Sequence, residues 1–246
     1  MMFLNPEENL FHVHTFRCRH ADEVPDDVYT KKAIEMGVKS IWFTDHAPFP
    51  ENPFGYRMMY DELDEYLDTL SELKDIYKNQ IDIHIGLEAE YFPSYDKDGY
   101  YQQLKADERL DLLLLGQHMA QTDEGGYTFS WDKEKLDRDE AGALGKAICQ
   151  GIESGYFDIV AHPDRSFRRK KHWDDDMADI SENIISTAGK HGLILEQNET
   201  SKRHKHHYWE EFWKMNEGRC QIVIGLDAHS PEELVKIRRE KLCTRV

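Results

Sequence analysis

The chain of 246 residues carries 48 acidic against 31 basic side chains, a formal charge of -17, which argues against a general binder of nucleic acid or anionic membrane because like charges repel. Its four cysteines, Cys18, Cys149, Cys220 and Cys243, show no close pairing, so a disulfide framework is not expected and a reduced, cytoplasmic setting is. Met1 to Asn9 has neither a basic start nor a long apolar run, so no secretory signal is read there, and no apolar stretch approaches the roughly 20 residues that a spanning helix needs.

Short apolar strand candidates alternate with amphipathic helical stretches. Leu10–His14 is the first strand. Pro25–Met36 reads as a helix, with a proline at its start, acids in its first turn and Gly37 after its end. Ser40–Thr44 is the second strand, and Ala47–Met59, with three prolines, predicts a long functional loop. Asp61–Tyr77 places Leu63, Tyr66, Leu67, Leu70, Leu73, Ile76 and Tyr77 at helical spacing. Strands Ile81–Glu90 and Leu110–Gly116 follow, then a helix over Lys133–Glu153, a strand at Phe157–Ala161 and a helix over Asp174–His191 closed by Gly192. Strands Leu193–Glu196 and Gln221–Leu226 complete the series, and Ser230-Pro231-Glu232-Glu233 is the cap signature of a last helix. Seven strands separated by helices imply an α/β fold with a mostly parallel sheet. A strand-by-strand barrel is the preferred closure and an open doubly wound sheet the alternative. No internal repeat or linker divides the chain, so one domain over residues 1–246 is expected.

The histidines give the first chemical signal. In Phe11-His12-Val13-His14 the two imidazoles are two positions apart on a strand, so both project to one face, where neutral rings can share a metal ion. His20 lies in the following loop, within reach of a second ion. The other strand ends repeat the theme, and barrel and open-sheet sites assemble at those ends. Strand two ends in Thr44-Asp45-His46, strand three carries Glu88 and Glu90, and strand four ends in Gly116-Gln117-His118. Strand five ends in His162-Pro163-Asp164, strand six in Glu196-Gln197-Asn198 and strand seven in Asp227-Ala228-His229. Seven of the thirteen histidines fall at or just after these ends, where random placement would scatter them. Seven imidazoles with Glu88 and Asp227 exceed the set of about four ligands that one ion takes, so two or three ions are expected. Mixed imidazole and carboxylate donors suit Zn, Mn or Fe rather than Ca or Mg. Clustered divalent ions do hydrolytic work on phosphate esters by activating a bridging water and neutralising developing charge.

These stretches, together with Phe16-Arg17-Cys18-Arg19-His20, Phe43-Thr44-Asp45-His46-Ala47-Pro48 and Gly86-Leu87-Glu88-Ala89-Glu90-Tyr91, resemble the PHP superfamily, and within it the PHP-type histidinol-phosphatases. The resemblance runs in family order through almost the whole chain. It implies a distorted seven-stranded barrel of TIM-barrel type with a trinuclear centre, and release of inorganic phosphate from histidinol phosphate by attack of a metal-bridging hydroxide. Carried over by residue, His12, His14, Glu88 and Asp227 would hold one ion. Glu88 would bridge to a second, held also by His118 and His162, and His20, His46 and His229 would hold the third. After strand six the family pattern is similar to Asn-Thr-Ala-Gly-Leu-Arg, whereas this chain reads Asn198-Glu199-Thr200-Ser201-Lys202-Arg203. The arginine keeps its offset, so Arg203 is the expected phosphate clamp, its planar fork matching two oxygens.

The departures concern the substrate. Residues 165–171 and 202–207 are basic runs that would neighbour each other if strands five and six pair. They read either as an anion-binding rim, with Arg165 touching substrate, or as loops that offset nearby acids. Glu90 could touch a substrate amine or orient a ligand, Asp45 could support His46, and Asp164 or a water could protonate the leaving group. Cys18 is expected to pack, His84, His172 and His191 to lie outside the site, and the tryptophans to serve the core. The rival readings are a phosphoesterase for phosphotyrosine, a nucleotide or another small ester, and a metal-binding protein without turnover. The expected partner is a small phosphorylated substrate.

Overall fold

The computed structural model describes residue 5 and residues 7–122, 126–128 and 140–235. Its strands are β1 (Asn9–Val13), β2 (Ser40–His46), β3 (Asp82–Ala89), β4 (Leu112–Leu115), β5 (Ile159–Val160), β6 (Ile194–Asn198) and β7 (Ile222–Gly225). All seven expected strands are present, most of them shorter than the apolar runs that announce them. They form one sheet in chain order, with parallel pairing of β1 to β2, β2 to β3, β4 to β5 and β5 to β6. The Leu226 N–H donates to Phe11 O at 2.8 Å, so the chain after β7 bonds to β1. This is the seven-stranded (β/α) barrel topology rather than the open sheet. Among the described residues no helix is long and apolar enough to cross a membrane.

The contacts divide the chain into two compact units. The first comprises residues 1–88, 107–112 and 224–246. Its helix α1 (Asp26–Glu35) follows Pro25, carries Asp26 and Asp27 in its first turn, and is succeeded by Gly37 at φ 67°. Acids near a helix start and glycine past its end are the local rules that fix these limits. In α2 (Leu63–Tyr77), Tyr66, Leu67, Leu70 and Leu73 are buried, as their spacing requires. Ile76, assigned to the same stripe, is 65% exposed. Tyr66 projects from α2 to the strand ends, its hydroxyl donating to Gly86 O at 2.8 Å and lying 3.5 Å from Asp45 N. Gly86 is needed where it stands: a Cβ there would meet Leu112 O at 3.1 Å and Thr44 Cγ2 at 3.2 Å.

The second unit comprises residues 89–106 and 113–223. It holds three helices that periodicity did not announce, α3 (Pro93–Lys97), α4 (Tyr100–Ala106) and α7 (Glu210–Met215), each seven residues or shorter. Such lengths span two turns or fewer and leave little periodic pattern to read. The longer helices are α5 (Glu140–Ser154) and α6 (Asp175–His191). The earlier start expected for α5, at Lys133, lies outside the described residues. The Asp174 carboxylate accepts the Met177 N–H at 2.9 Å and Gly192 closes α6 at φ 71°. The helices α5 and α6 pack through Gly145, where a Cβ would come within 2.5 Å of Ile180. Tyr101 ties the end of β3 in the manner of Tyr66: its hydroxyl donates to Glu90 O and accepts the Phe92 N–H, both at 2.8 Å.

The Tyr66→Phe substitution deletes one hydroxyl and leaves a buried carbonyl without its donor, a loss of about 1–3 kcal/mol. Urea unfolding is expected to show a lower midpoint with unchanged slope.

Candidate metal centre

Five imidazoles and two carboxylates meet in the first unit. His12 and His14 do come together, with ring centroids 4.9 Å apart, but a regular strand does not place them. The β1–β2 register shifts between Leu10 and Val13, and His12 adopts φ 66°. A bulge therefore re-aims His12, and His14 follows the strand's end. The backbone beyond is fixed by two bonds across to the end of β7: His14 N–H to Ala228 O at 2.9 Å and Ala228 N–H to His12 O at 3.2 Å.

The carboxylates sit between the rings. Glu88 Oε2 lies 3.4 Å from His12 Nε2, 3.5 Å from His14 Nε2 and 3.1 Å from His46 Nδ1. Asp227 Oδ1 lies 3.9 Å from His12 Nε2, 3.4 Å from His14 Nε2 and 3.7 Å from His229 Nδ1. The outer rings continue the array: His14 to His229 at 4.4 Å, His14 to His46 at 4.7 Å, His20 to His229 at 4.5 Å and His20 to His46 at 5.5 Å between centroids. Within this array, donor atoms of His12, His14 and Asp227, and of His14, His46 and His229, lie within 4.8 Å of one another. The same distance holds for Cys18, His20 and His229, so the thiol expected only to pack also borders the cluster.

A layer of ordinary hydrogen bonds orients these groups. His20 Nδ1 meets Cys18 O at 2.7 Å and His229 Nδ1 meets Asp227 O at 3.1 Å, which turns Nε2 of each ring to the ligand role. His229 is held further: its N–H donates to Glu233 Oε2 at 2.7 Å, while its carbonyl accepts from Tyr29 Oη at 3.0 Å and Asp22 N at 2.9 Å. Glu233 N also donates to Ser230 Oγ at 3.2 Å, the N-cap bond that the Ser-Pro-Glu-Glu signature predicts, while its carboxylate takes the His229 N–H instead of that of Ser230. Asp45 does not touch His46 through its carboxylate. Its Oδ1 accepts the N–H and hydroxyl of Thr15, at 2.9 and 3.1 Å, bracing the turn after His14, and burial pushes its pKa up to about 7.

The donor set suits a divalent cation. Both ring nitrogens of His14 and Nε2 of His229 are buried without a hydrogen bond. Burial, then the neighbouring His229 and His12, hold the His14 pKa well below its ordinary value, so the ring keeps a lone pair to give.

The second unit carries its own group. His118 and His162 have ring centroids 5.1 Å apart. Glu90 is fully buried with Oε1 3.2 Å from His118 Nδ1, the arrangement of a carboxylate that orients an imidazole. His162 adopts φ 29° and its N–H donates to the buried Glu196 at 3.1 Å. The two basic runs do neighbour each other: Arg165 donates to Ser201 Oγ at 2.7 Å and to Asn198 Oδ1 at 3.1 Å. Much of the basic charge is offset locally. Arg168 and Arg169 bond the two oxygens of buried Glu140, each at 2.8 Å, and Lys170 and Lys202 pair with Asp174 and Glu199, each at 2.9 Å. Arg203 is exposed at the end of a 3-10 turn over Ser201–Arg203. Asp164 is fully buried, and its Oδ2 accepts from Trp209 N at 2.9 Å and Trp213 Nε1 at 3.0 Å. Trp209 and Trp213 are thus buried structural partners, whereas Trp131 lies outside the described residues. Of the histidines set aside, His84 stacks on Trp42 at 3.7 Å and His172 and His191 are exposed.

Comparison with known proteins agrees with this architecture. The histidinol-phosphatase of Bacillus subtilis is 25% identical over 246 aligned positions, covering 89% of this chain and 92% of the relative. A solved structure from Listeria monocytogenes shares the fold with a TM-score of 0.75 at 16% identity, over 92% of this chain and 96% of that one. The histidinol phosphate phosphatase of Lactococcus lactis, solved with zinc, L-histidinol and phosphate, gives a TM-score of 0.72 at 17% identity over 95% and 92%. The PHP domain family profile matches residues 11–200, and the chain therefore belongs to the PHP domain family.

Proposed function

We propose that this protein is a metal-dependent phosphomonoesterase that releases inorganic phosphate from histidinol phosphate. The observation that carries the reading is the array of His12, His14, His46 and His229 around the buried carboxylates of Glu88 and Asp227. The relatives' activity and the zinc, histidinol and phosphate of the Lactococcus lactis protein favour this substrate.

In this reading three ions of Zn, Mn or Fe are held by the nine predicted ligands. His12, His14, Glu88 and Asp227 form one donor set, His20, His46 and His229 another, and His118 and His162 supply the remaining imidazoles. Ions bound there would supply a nucleophile from water at neutral pH and would neutralise charge on the phosphoryl oxygens. The chain's own residues do the rest. His14 stays neutral at working pH because burial disfavours its cation. Glu90 holds His118 in one orientation. Arg165, its fork set by Ser201 and Asn198, and Arg203 bind phosphoryl oxygens, for which a planar guanidinium is suited. In this reading Asp164, expected as a proton donor, serves as anchor of the 209–213 segment, its Oδ2 accepting from two tryptophan donors, although burial pushes its pKa up to about 7. The leaving alkoxide then takes its proton from water.

Elemental analysis of protein purified without added metal is expected to give three divalent ions per chain, and a panel of histidinol phosphate, phosphotyrosine, a nucleotide and ethyl phosphate to show the highest kcat/KM on the first. Preference for another ester would replace the substrate, and bound metal with no turnover of any ester would refute the enzyme reading. The His14→Ala variant should lose more than about a hundredfold in kcat/KM, beyond the loss that removing an outer partner gives. The Asp164→Asn variant keeps an acceptor for both tryptophans and should stay within about threefold of wild type, where loss of a general acid would cost about a hundredfold or more. A ligand at about a thousand times its Kd adds about 4 kcal/mol to the folded state. For a chain of this size, chelation should therefore lower Tm by about 8–16 °C in a thermal scan.

A further inference from the structure

The loop over residues 47–59 has no helix or strand, and it ends the first unit's imidazole array on its solvent side. Exposure rises in order along that array: His12 and His14 are buried, His46 and His229 intermediate, His20 exposed. Tyr56 continues the series at 54% exposure, its ring 5.8 Å from that of His20 at an angle of 78°. Of the five large hydrophobic side chains exposed among the described residues, Tyr56 and Met59 fall in this loop and Tyr60 follows it directly.

The loop is built to hold Tyr56 there. Tyr56 adopts φ 56°, as Glu51 and Asn52 adopt φ 64° and 52°, a region that a bulky side chain rarely enters. The next residue fixes it. Arg57 is buried, donates to Ala47 O at 3.0 Å and to Gly55 O at 3.4 Å, and lays its guanidinium over Phe49 and Phe54 at 5.5 and 5.3 Å. Those two rings pack edge to face at 5.3 Å. Asn52 Oδ1 accepts the Tyr60 N–H at 2.6 Å, closing the loop on its far side. A strained backbone, an anchored neighbour and an aromatic ring left in solvent beside a candidate ligand make a poor packing solution and a good contact for a bound molecule.

The geometry points to Tyr56 as a specificity-determining residue that binds the alcohol half of the phosphate ester. This rests on the phosphatase reading above: with the phosphoryl group at the buried rings, the rest of the ester runs outward past His20 to Tyr56. The alcohol half of histidinol phosphate carries an ammonium and an imidazole, and an electron-rich ring attracts a cation and stacks with another ring.

The test compares kcat/KM on histidinol phosphate with kcat/KM on ethyl phosphate, which lacks the alcohol half's cation and ring. In the Tyr56→Asn variant, whose new side chain tolerates the left-handed backbone, the ratio of the two is expected to fall about tenfold, chiefly through KM for the larger ester. The Tyr56→Phe variant should restore the ratio, and Tm of Tyr56→Asn should not fall. An unchanged ratio with histidinol phosphate still turned over overturns the role of Tyr56 and leaves the phosphatase reading intact. Equal losses on both esters also overturn it, by showing a structural role. A wild-type protein inert toward both esters removes the phosphatase reading and this inference with it.

Discussion

Glu88 and Asp227 are buried carboxylates, 1% and 4% exposed, facing imidazoles of which His14 is kept from charging by its burial. Taking a carboxylate out of water costs several kcal/mol unless opposite charge replaces the water. The obvious replacement, protonated histidine, is resisted at His14, where burial and two neighbouring rings lower its proton affinity. The site therefore holds negative charge that the chain's own groups compensate poorly and that divalent cations compensate well. The donor layer behind the rings follows from this: each ring that uses one nitrogen on a backbone carbonyl, as His20 and His229 do, keeps the other for the interior.

Backbone strain appears at three of the predicted ligands. His12, Asp227 and His162 occupy φ 66°, 54° and 29°, and each such residue costs about 1–3 kcal/mol. The hydrogen bonds that offset this strain are those that aim the side chains. Ala228 bonds His12 and His14 through its N–H and carbonyl, holding Asp227 beside them, and Glu196 receives the His162 N–H. Phe11, His12, Val13 and His14 are all buried, as a parallel strand covered on both faces allows, and the register shift beside His12 sets the direction of its ring.

Those particulars mark what could be read from residues alone. Strand and helix existence was legible because apolar runs and periodic stripes span most of each long element, and because proline, glycine and Ser-Pro-Glu-Glu stand at the limits of α1, α6 and the last helix. The convergence of His12, His14, His46, Glu88, Asp227 and His229 was legible from their common place at strand ends. The bulge was not, since Phe11-His12 carries no glycine to announce it. Ile76 was misplaced because a helix stripe is wider than the groove it fills. Arg168 and Arg169 read equally as part of an anion rim or as charge offsetting nearby acids, and it is Glu140, nearly thirty residues upstream, that takes both. Pairing across such distances leaves no trace in local composition. Tyr56 had one usable signal, an aromatic within a loop already marked by its prolines.

The distribution of charge carries the last step. A chain at -17 repels a phosphate dianion at long range, yet salt confines that repulsion to about 8–10 Å from the surface. What decides binding is the charge met at the site. The basic runs, which look like a compensating rim in the sequence, spend Arg168, Arg169, Lys170 and Lys202 on acids of the same unit. Arg165 is directed by the oxygens of Ser201 and Asn198, which fix the orientation of its fork. An anion drawn past an acidic surface thus needs cations concentrated at the site, and the buried carboxylates of Glu88 and Asp227 are what would gather metal ions there. The same negative groups that make the apo site costly would make the loaded site attractive to phosphate.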